Sequence, residues 1–156
     1  MPSVREGASL TFRIAHAGDR DQIADFNQRL AAQTEDRQLD TATIRAGVAA
    51  LLADPAKGFY VLAERDGVVV GQTMVTYEWS DWRNAAVWWI QSVYVLDAHR
   101  RTGVYSALHA EIARRARDAG ACELRLYVER DNARARATYE HLGMTHSHYD
   151  MYEQPL

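Results

Sequence analysis

An α/β (α+β) fold is predicted: a mixed central sheet flanked by helices, in the order strand, helix, helix, three strands, helix, strand, helix, strand. Three observations predict it. Short runs alternate apolar and polar residues, as in Leu10-Thr11-Phe12-Arg13-Ile14, which is the period of a half-buried strand. Other runs repeat apolar residues every three or four positions, as in Val104, Leu108, Ile112 and Ala116, which is the stripe of a helix packed on a core. The aromatic and β-branched run Val87 to Val95 is followed by that helix and then by a further alternating run, so a right-handed crossover sets two strands parallel and adjacent.

The elements follow in order. Leu10 to Ile14 is the first strand. Asp19 or Asp21 caps a helix bearing Ile23, Phe26 and Leu30, and Thr41 or Thr43 opens a second bearing Ile44, Val48, Leu51 and Leu52. Gln33 to Asp40 between them reads as a polar loop. Pro55 and Gly58 end the second helix, and two apolar runs flank Arg65-Asp66-Gly67, a β-hairpin turning at Asp66-Gly67. Glu78 to Asn84 breaks the pattern before the central strand Val87 to Val95. A helix from about Val104 stops at Gly120, and Leu124, Leu126 and Val128 alternate in a strand. Asp131 or Asn132 caps a short helix that Gly143 ends, and Thr145 to Glu153 reads as a last strand. With no repeat or linker, residues 10–153 read as one domain behind a flexible extension of residues 1–9.

Composition narrows the function. A net charge of -3 over 156 residues gives no general attraction to nucleic acid or to an anionic membrane. A lone cysteine, Cys122, forms no internal disulfide and reads as a small buried apolar residue. Without a secretion signal or an apolar run of membrane-spanning length, a soluble, cytoplasmic protein is expected. His146 and His148 share a strand face but have no third ligand nearby, so no metal is expected. Signatures of serine hydrolases, nucleotide triphosphatases and zincins are missing.

Chemistry concentrates at His99-Arg100-Arg101-Thr102-Gly103-Val104-Tyr105-Ser106, where a strand turns sharply into a helix. The first amides of a helix lack intrahelical acceptors, and the helix dipole adds partial positive charge. Such a junction suits an anion, Gly103 lets one approach the backbone, and Arg100 and Arg101 add charge. An ordinary turn with two solvated arginines is the alternative.

Arg100-x-x-Gly103-x-Tyr105 resembles the pyrophosphate-binding motif of the GCN5-related N-acetyltransferase (GNAT) superfamily, and Asn132 to Met144 looks like its second signature: Asn132, Ala135, Tyr139, then Leu142-Gly143-Met144. The two motifs stand in the superfamily's order, and the resemblance covers nearly the whole chain. It implies a sheet of about six to seven strands flanked by four helices, acetyl-coenzyme A as cofactor, a homodimer, and transfer of acetyl to a primary amine by direct attack. By the same resemblance, the turn Arg100 to Ser106, with Thr102 and Val104, holds the pyrophosphate. The backbones of Val93 and Val95, flanking Tyr94, pair with the pantetheine amides, Asn132 and Ala135 contact that arm, and Tyr139 is the general acid. Tyr105 departs from the motif's Gly or Ala, so its ring either packs into the helix interface or shifts the cofactor.

Relatives often place a glutamate at Gln91, and an amide cannot take up a proton at neutral pH. Glu78 is the candidate base, at a strand end among aromatics that would desolvate it. Tyr77 to Asn84 is similar to the diamine and thialysine acetyltransferase branch, which implies a small-molecule amine substrate such as a polyamine or an amino-acid-like amine. Glu78 and Asp81 would then hold an ammonium group, with Trp79, Trp82 and Gln91 lining the site. Packing of this hairpin on a partner is the alternative. At the level of function, acetylation of a protein N-terminus or lysine and a silent acyl-coenzyme A binding module stand as the alternatives.

Overall fold

The computed structural model describes residues 9–156, as two units, 9–126 and 127–156, each taken by itself. The extension expected over residues 1–9 therefore lies, apart from Ser9, outside the described residues.

The first unit is a five-stranded sheet in the order β1-β2-β3-β4-β5: β1 Leu10–Ile14, β2 Gly58–Arg65, β3 Val68–Ser80, β4 Ala85–Val95 and β5 Glu123–Arg125. The first four strands pair antiparallel, and β5 joins β4 in parallel after the crossover helix α3, Val104–Asp118. Helices α1 (Arg20–Glu35) and α2 (Thr41–Ala53) cover one face, where Ile23, Phe26, Val48 and Leu51 meet Tyr60, Leu62, Val69 and Tyr94. Helix α3 covers the other face, where Val104, Leu108 and Ile112 meet Val61, Val70, Ile90 and Val95. Gly71 makes that approach close. A Cβ there would stand 3.1 Å from Val104 Cγ1 and 3.3 Å from Leu108 Cδ1.

The hairpin between β2 and β3 turns at Asp66 and Gly67, with φ of 53° and 76°, the left-handed pair that a two-residue turn demands. Helix α2 starts at Thr41, but the cap is the preceding Asp40, whose carboxylate accepts from Thr43 N at 2.9 Å and from the Thr43 hydroxyl at 2.7 Å.

Two expectations about strands change. The run at Leu124 gives only three strand residues, because β5 pairs with β4 at Val87, Trp88 and Trp89 and then leaves the ladder. Residues 145–153 form no strand. They have no ladder partner among the described residues, and every side chain there is exposed, so alternation alone brought no burial to hold them extended. The sheet thus has five strands instead of six or seven, beside the expected four α-helices, the fourth being α4, Ala133–His141, in the second unit. Cys122 is exposed and not buried, because it precedes β5 at the surface, where its amide donates to Ala86 O at 2.9 Å.

Candidate active site

The central strand β4 is held on both edges only along its first half. Beyond Trp89, Ile90 to Val95 have no ladder partner but β3 among the described residues, which leaves one edge without a strand beside it. Leu96 N donates to Val70 O at 2.9 Å, and the alternation of an antiparallel ladder then turns the peptide groups of Val93 and Val95 outward to that edge. The ladder also slips here. Gln72 pairs with Tyr94 but Met74 pairs with Gln91, so Ser92 and Val93 together face Thr73. This is a β-bulge with Ser92 at φ 50°. An extended ligand with amide groups can add to such an edge as a further strand would.

β4 runs through a 3₁₀ turn at Asp97–His99 into α3. Arg101 and Gly103 adopt φ of 59° and 83°, and Gly103 caps α3 from the left-handed region without a side chain. A Cβ at Gly103 would meet nothing within 4 Å, so the space before the helix is open. The first-turn amides of α3 lie beside this open space and lack intrahelical acceptors, with the helix dipole behind them.

One of the two arginines of the turn does not stand free in solvent. Arg100 folds back: its Nε donates to Val95 O at 3.1 Å, its Nη2 lies 3.0 Å from Asp97 Oδ1, and its guanidinium covers the Tyr94 ring at 5.5 Å. Arg101 and Ser106 are exposed. The Thr102 hydroxyl donates to His99 O, which tightens the turn. Tyr105 takes the first of its two expected placements: its half-buried ring packs on the core with α3, 6.1 Å from the His109 ring. Val104 is buried, anchoring the start of the helix.

In the second unit, Asn132 caps α4 by accepting from Ala135 N at 3.0 Å. Asn132, Ala135, Tyr139, Leu142 and Met144 are half-buried, the first four at helical spacing, so these four residues of the second motif share one face.

These features find counterparts among known proteins. Residues 21–144 match the family model for the acetyltransferase (GNAT) family. A possible acetyltransferase from Clostridium difficile 630 is 44% identical, over 94% of this chain and 97% of that one, with a TM-score of 0.90. The chain belongs to the acetyltransferase (GNAT) family. Two more distant structures share the fold of this GNAT chain. One is a ribosomal-protein-alanine N-acetyltransferase from Brucella melitensis biovar Abortus 2308, at 21% identity over 95% of this chain and 99% of that one, TM-score 0.76. The other is a predicted acetyltransferase with acetyl-CoA from Clostridium acetobutylicum, at 12% identity over 94% and 96%, TM-score 0.78. No curated protein matches the chain.

On this GNAT sheet the register puts Thr76, Glu78, Val87, Trp89 and Gln91 on one face, with Glu123 and Arg125 of β5 beside them. Gln91 Nε2 donates to Thr76 Oγ1 at 2.6 Å. The desolvation expected of Glu78 is not what the structure shows: its side chain is 47% exposed and pairs with Arg125 Nη1 at 2.8 Å. Glu123 shares Arg125 and also receives Arg83, whose guanidinium holds the Glu123 carboxyl below its usual range. Glu78 stands near the end of β3, two residues before Ser80, and of the aromatics around it only Trp89 shares its face. Tyr77 and Trp88 turn to the opposite face with Phe59, and Trp79 and Trp82 are 64% and 93% exposed. Asp81 is exposed at the same hairpin tip.

Sequence reasoning missed Arg65, whose Nη1 reaches His99 Nδ1 at 3.3 Å and Thr102 Oγ1 at 3.4 Å, bracing the turn from the end of β2. It also missed Gln33, which accepts from Arg100. Arg65 ends β2 and Gln33 lies in the last turn of α1, which runs to Glu35 through the start of the expected polar loop; at such element ends a charged or amide residue carries no periodic signal. Among the described residues, no group of three or more His, Cys, Asp and Glu is placed to hold a metal ion, and no helix is long and apolar enough to cross a membrane.

Proposed function

We propose that this acetyltransferase moves an acetyl group from acetyl-coenzyme A to the primary amine of a small molecule, a polyamine, diamine or amino-acid-like amine, by direct attack and without a covalent enzyme intermediate. The observation that carries this reading is the open edge of β4 running into the left-handed Gly103 and the unobstructed start of α3. A pantetheine arm has amides for an edge strand, and a pyrophosphate has oxygens for helix-terminal amides. The residues fit the group: the peptide groups of Val93 and Val95, flanking Tyr94, would hold the arm, and the turn from Arg100 to Ser106, through Arg101, Thr102, Gly103, Val104 and Tyr105, the pyrophosphate. When bound, the coenzyme supplies the activated thioester.

The chain's own groups do the rest. A backbone N–H at the open edge of β4 stabilises the negative charge that develops on the acyl oxygen. The Tyr139 phenol gives its proton to the leaving sulfur, and Asn132 with Ala135 fixes the arm beside it. Glu78 receives the proton of the attacking amine, while Asp81, Trp79, Trp82 and Gln91 help to select a cation. The lone Cys122 suits a reducing compartment, and we place the enzyme in the cytoplasm as a homodimer.

The test is thiol release from acetyl-coenzyme A with spermidine, thialysine, lysine, aminoglycosides and a peptide as acceptors. Amine-dependent release with a small di- or polyamine is expected. Release with the peptide alone, or coenzyme binding without release, overturns the small-amine reading. Glu78→Gln then separates two roles. As proton acceptor, its loss is large near neutral pH and recovers at high pH, where the amine arrives deprotonated; an equal modest loss at both means that Glu78 only anchors the substrate.

A further inference from the structure

The bulge in β4 is held by a buried polar cluster to which the proposed transfer assigns no role. Gln72, fully buried on the adjacent β3, donates through Nε2 to Ser92 O at 3.0 Å and to Asn27 Oδ1 at 3.1 Å. Asn27, itself buried on α1, donates through Nδ2 to the Tyr60 phenol oxygen at 3.2 Å. Ser92 is thus fastened at its carbonyl, in a left-handed conformation that a non-glycine residue adopts only when its surroundings hold it there. Three elements, α1, β2 and β3, each send one polar side chain into the apolar layer to hold one residue of β4.

Stability alone does not explain Gln72. Its Oε1 is buried without a hydrogen-bond partner among the described residues, as is Thr73 Oγ1 directly across from the bulge. An unpaired buried carbonyl costs free energy that an apolar side chain of the same length avoids. What the amide adds is geometric. With Ser92 fixed, the peptide groups of Val93 and Val95 are aimed at the open edge, where misaiming of a donor by an ångström weakens its hold on a developing charge.

We propose that Gln72, supported by Asn27 and Tyr60, is a positioning residue that locks the Ser92 bulge and thereby orients the β4 peptide groups that meet the acyl group. This rests on the acetyl-transfer reading above. The test replaces Gln72 by methionine, which keeps length and packing but removes both donations, and Tyr60 by phenylalanine, which deletes a single oxygen. Ile112→Val, in the core under α3 and away from the bulge, is the stability control. Expected for Gln72→Met is a fall in kcat of about tenfold or more at saturating coenzyme, with the amine KM within about twofold of the parent. Amide hydrogen exchange should quicken at Ser92 to Tyr94 and not along the β2–β3 ladder. Tyr60→Phe should move both readouts the same way by less, and Ile112→Val should move neither. Unchanged exchange at the bulge, or faster exchange there with unchanged kcat, overturns the proposal. If the parent transfers no acetyl group to any amine, the acetyl-transfer reading fails, and the exchange comparison still decides whether Gln72 locks the bulge.

Discussion

Tyr139 and Asp19 show how differently two single residues act. Tyr139 belongs to the face of α4 that also carries Asn132 and Ala135, and a phenol there is proposed to protonate the leaving sulfur. Tyr139→Phe keeps the ring and removes the proton, so turnover should fall by about a hundredfold while coenzyme affinity, measured calorimetrically, changes little. Equal losses in both would remove its acid role. Asp19 works on stability. It takes a two-pronged bond from Arg13, both contacts at 2.8 Å, and a third from His16 N at 2.8 Å. The Arg13 guanidinium above all holds its carboxyl below the usual carboxylate range. A folded-state pKa lowered in this way stabilises the protein fully above the unfolded value of about 4, and that stabilisation is lost as pH falls through the folded value. Urea unfolding from about pH 7 down to about pH 3 should show that loss, and Asp19→Asn should lower stability at neutral pH by about 1–3 kcal/mol while flattening the acid limb.

At the scale of elements, the junction of β4 with α3 depends on how closely α3 lies on the sheet. Gly71 sets that distance: a Cβ there would meet Val104 and Leu108 above it and stand 3.3 Å from Tyr94 O beside it. Gly71→Val would force two further methyl groups into this contact. It should cost about 1–3 kcal/mol in urea unfolding and weaken coenzyme binding as the start of α3 is displaced. Unaltered binding would show that the turn from Arg100 to Gly103 holds its geometry independently of the helix. Gly58 is the stricter case: at φ 148° a Cβ would stand 2.1 Å from Val75 O, so no side chain fits between β2 and β3 there.

For the molecule as a whole, the exposed Trp79 and Trp82 at the β3–β4 hairpin support the proposed homodimer, since exposed aromatic surface of this kind marks contact sites. Sedimentation equilibrium should give twice the 17.7 kDa of one chain, and Trp82→Ser should shift it toward the monomer. A parent that sediments as a single chain would overturn the homodimer and leave the proposed cation selection by those rings unaffected. The net charge of -3 adds little long-range repulsion between copies.

Local rules made much of this protein legible. Asp66-Gly67 dictated its own turn, the apolar stripe of α3 emerged with Val104, Leu108, Ile112 and Ala116 buried, and of the two caps expected for the last helix Asn132 is the one used. The two motifs led to the family because each depends on residues near one another in the chain. What remained hidden depends on partners far apart. Gln72, Asn27, Tyr60 and Ser92 come from four elements, and no periodicity in any of them announces a shared cluster. The fold back of Arg100 onto Val95, the ion pair of Glu78 with Arg125 and the inward turn of Tyr105 are likewise settled by neighbours that arrive only when the sheet closes. By itself the sequence determined most of the helices, the β2–β3 hairpin and the glycine turn before α3, through backbone preference and apolar spacing. Tertiary structure alone decided where β4 bulges, where β5 stops and which charges are already paired, because those depend on pairing energies between distant segments.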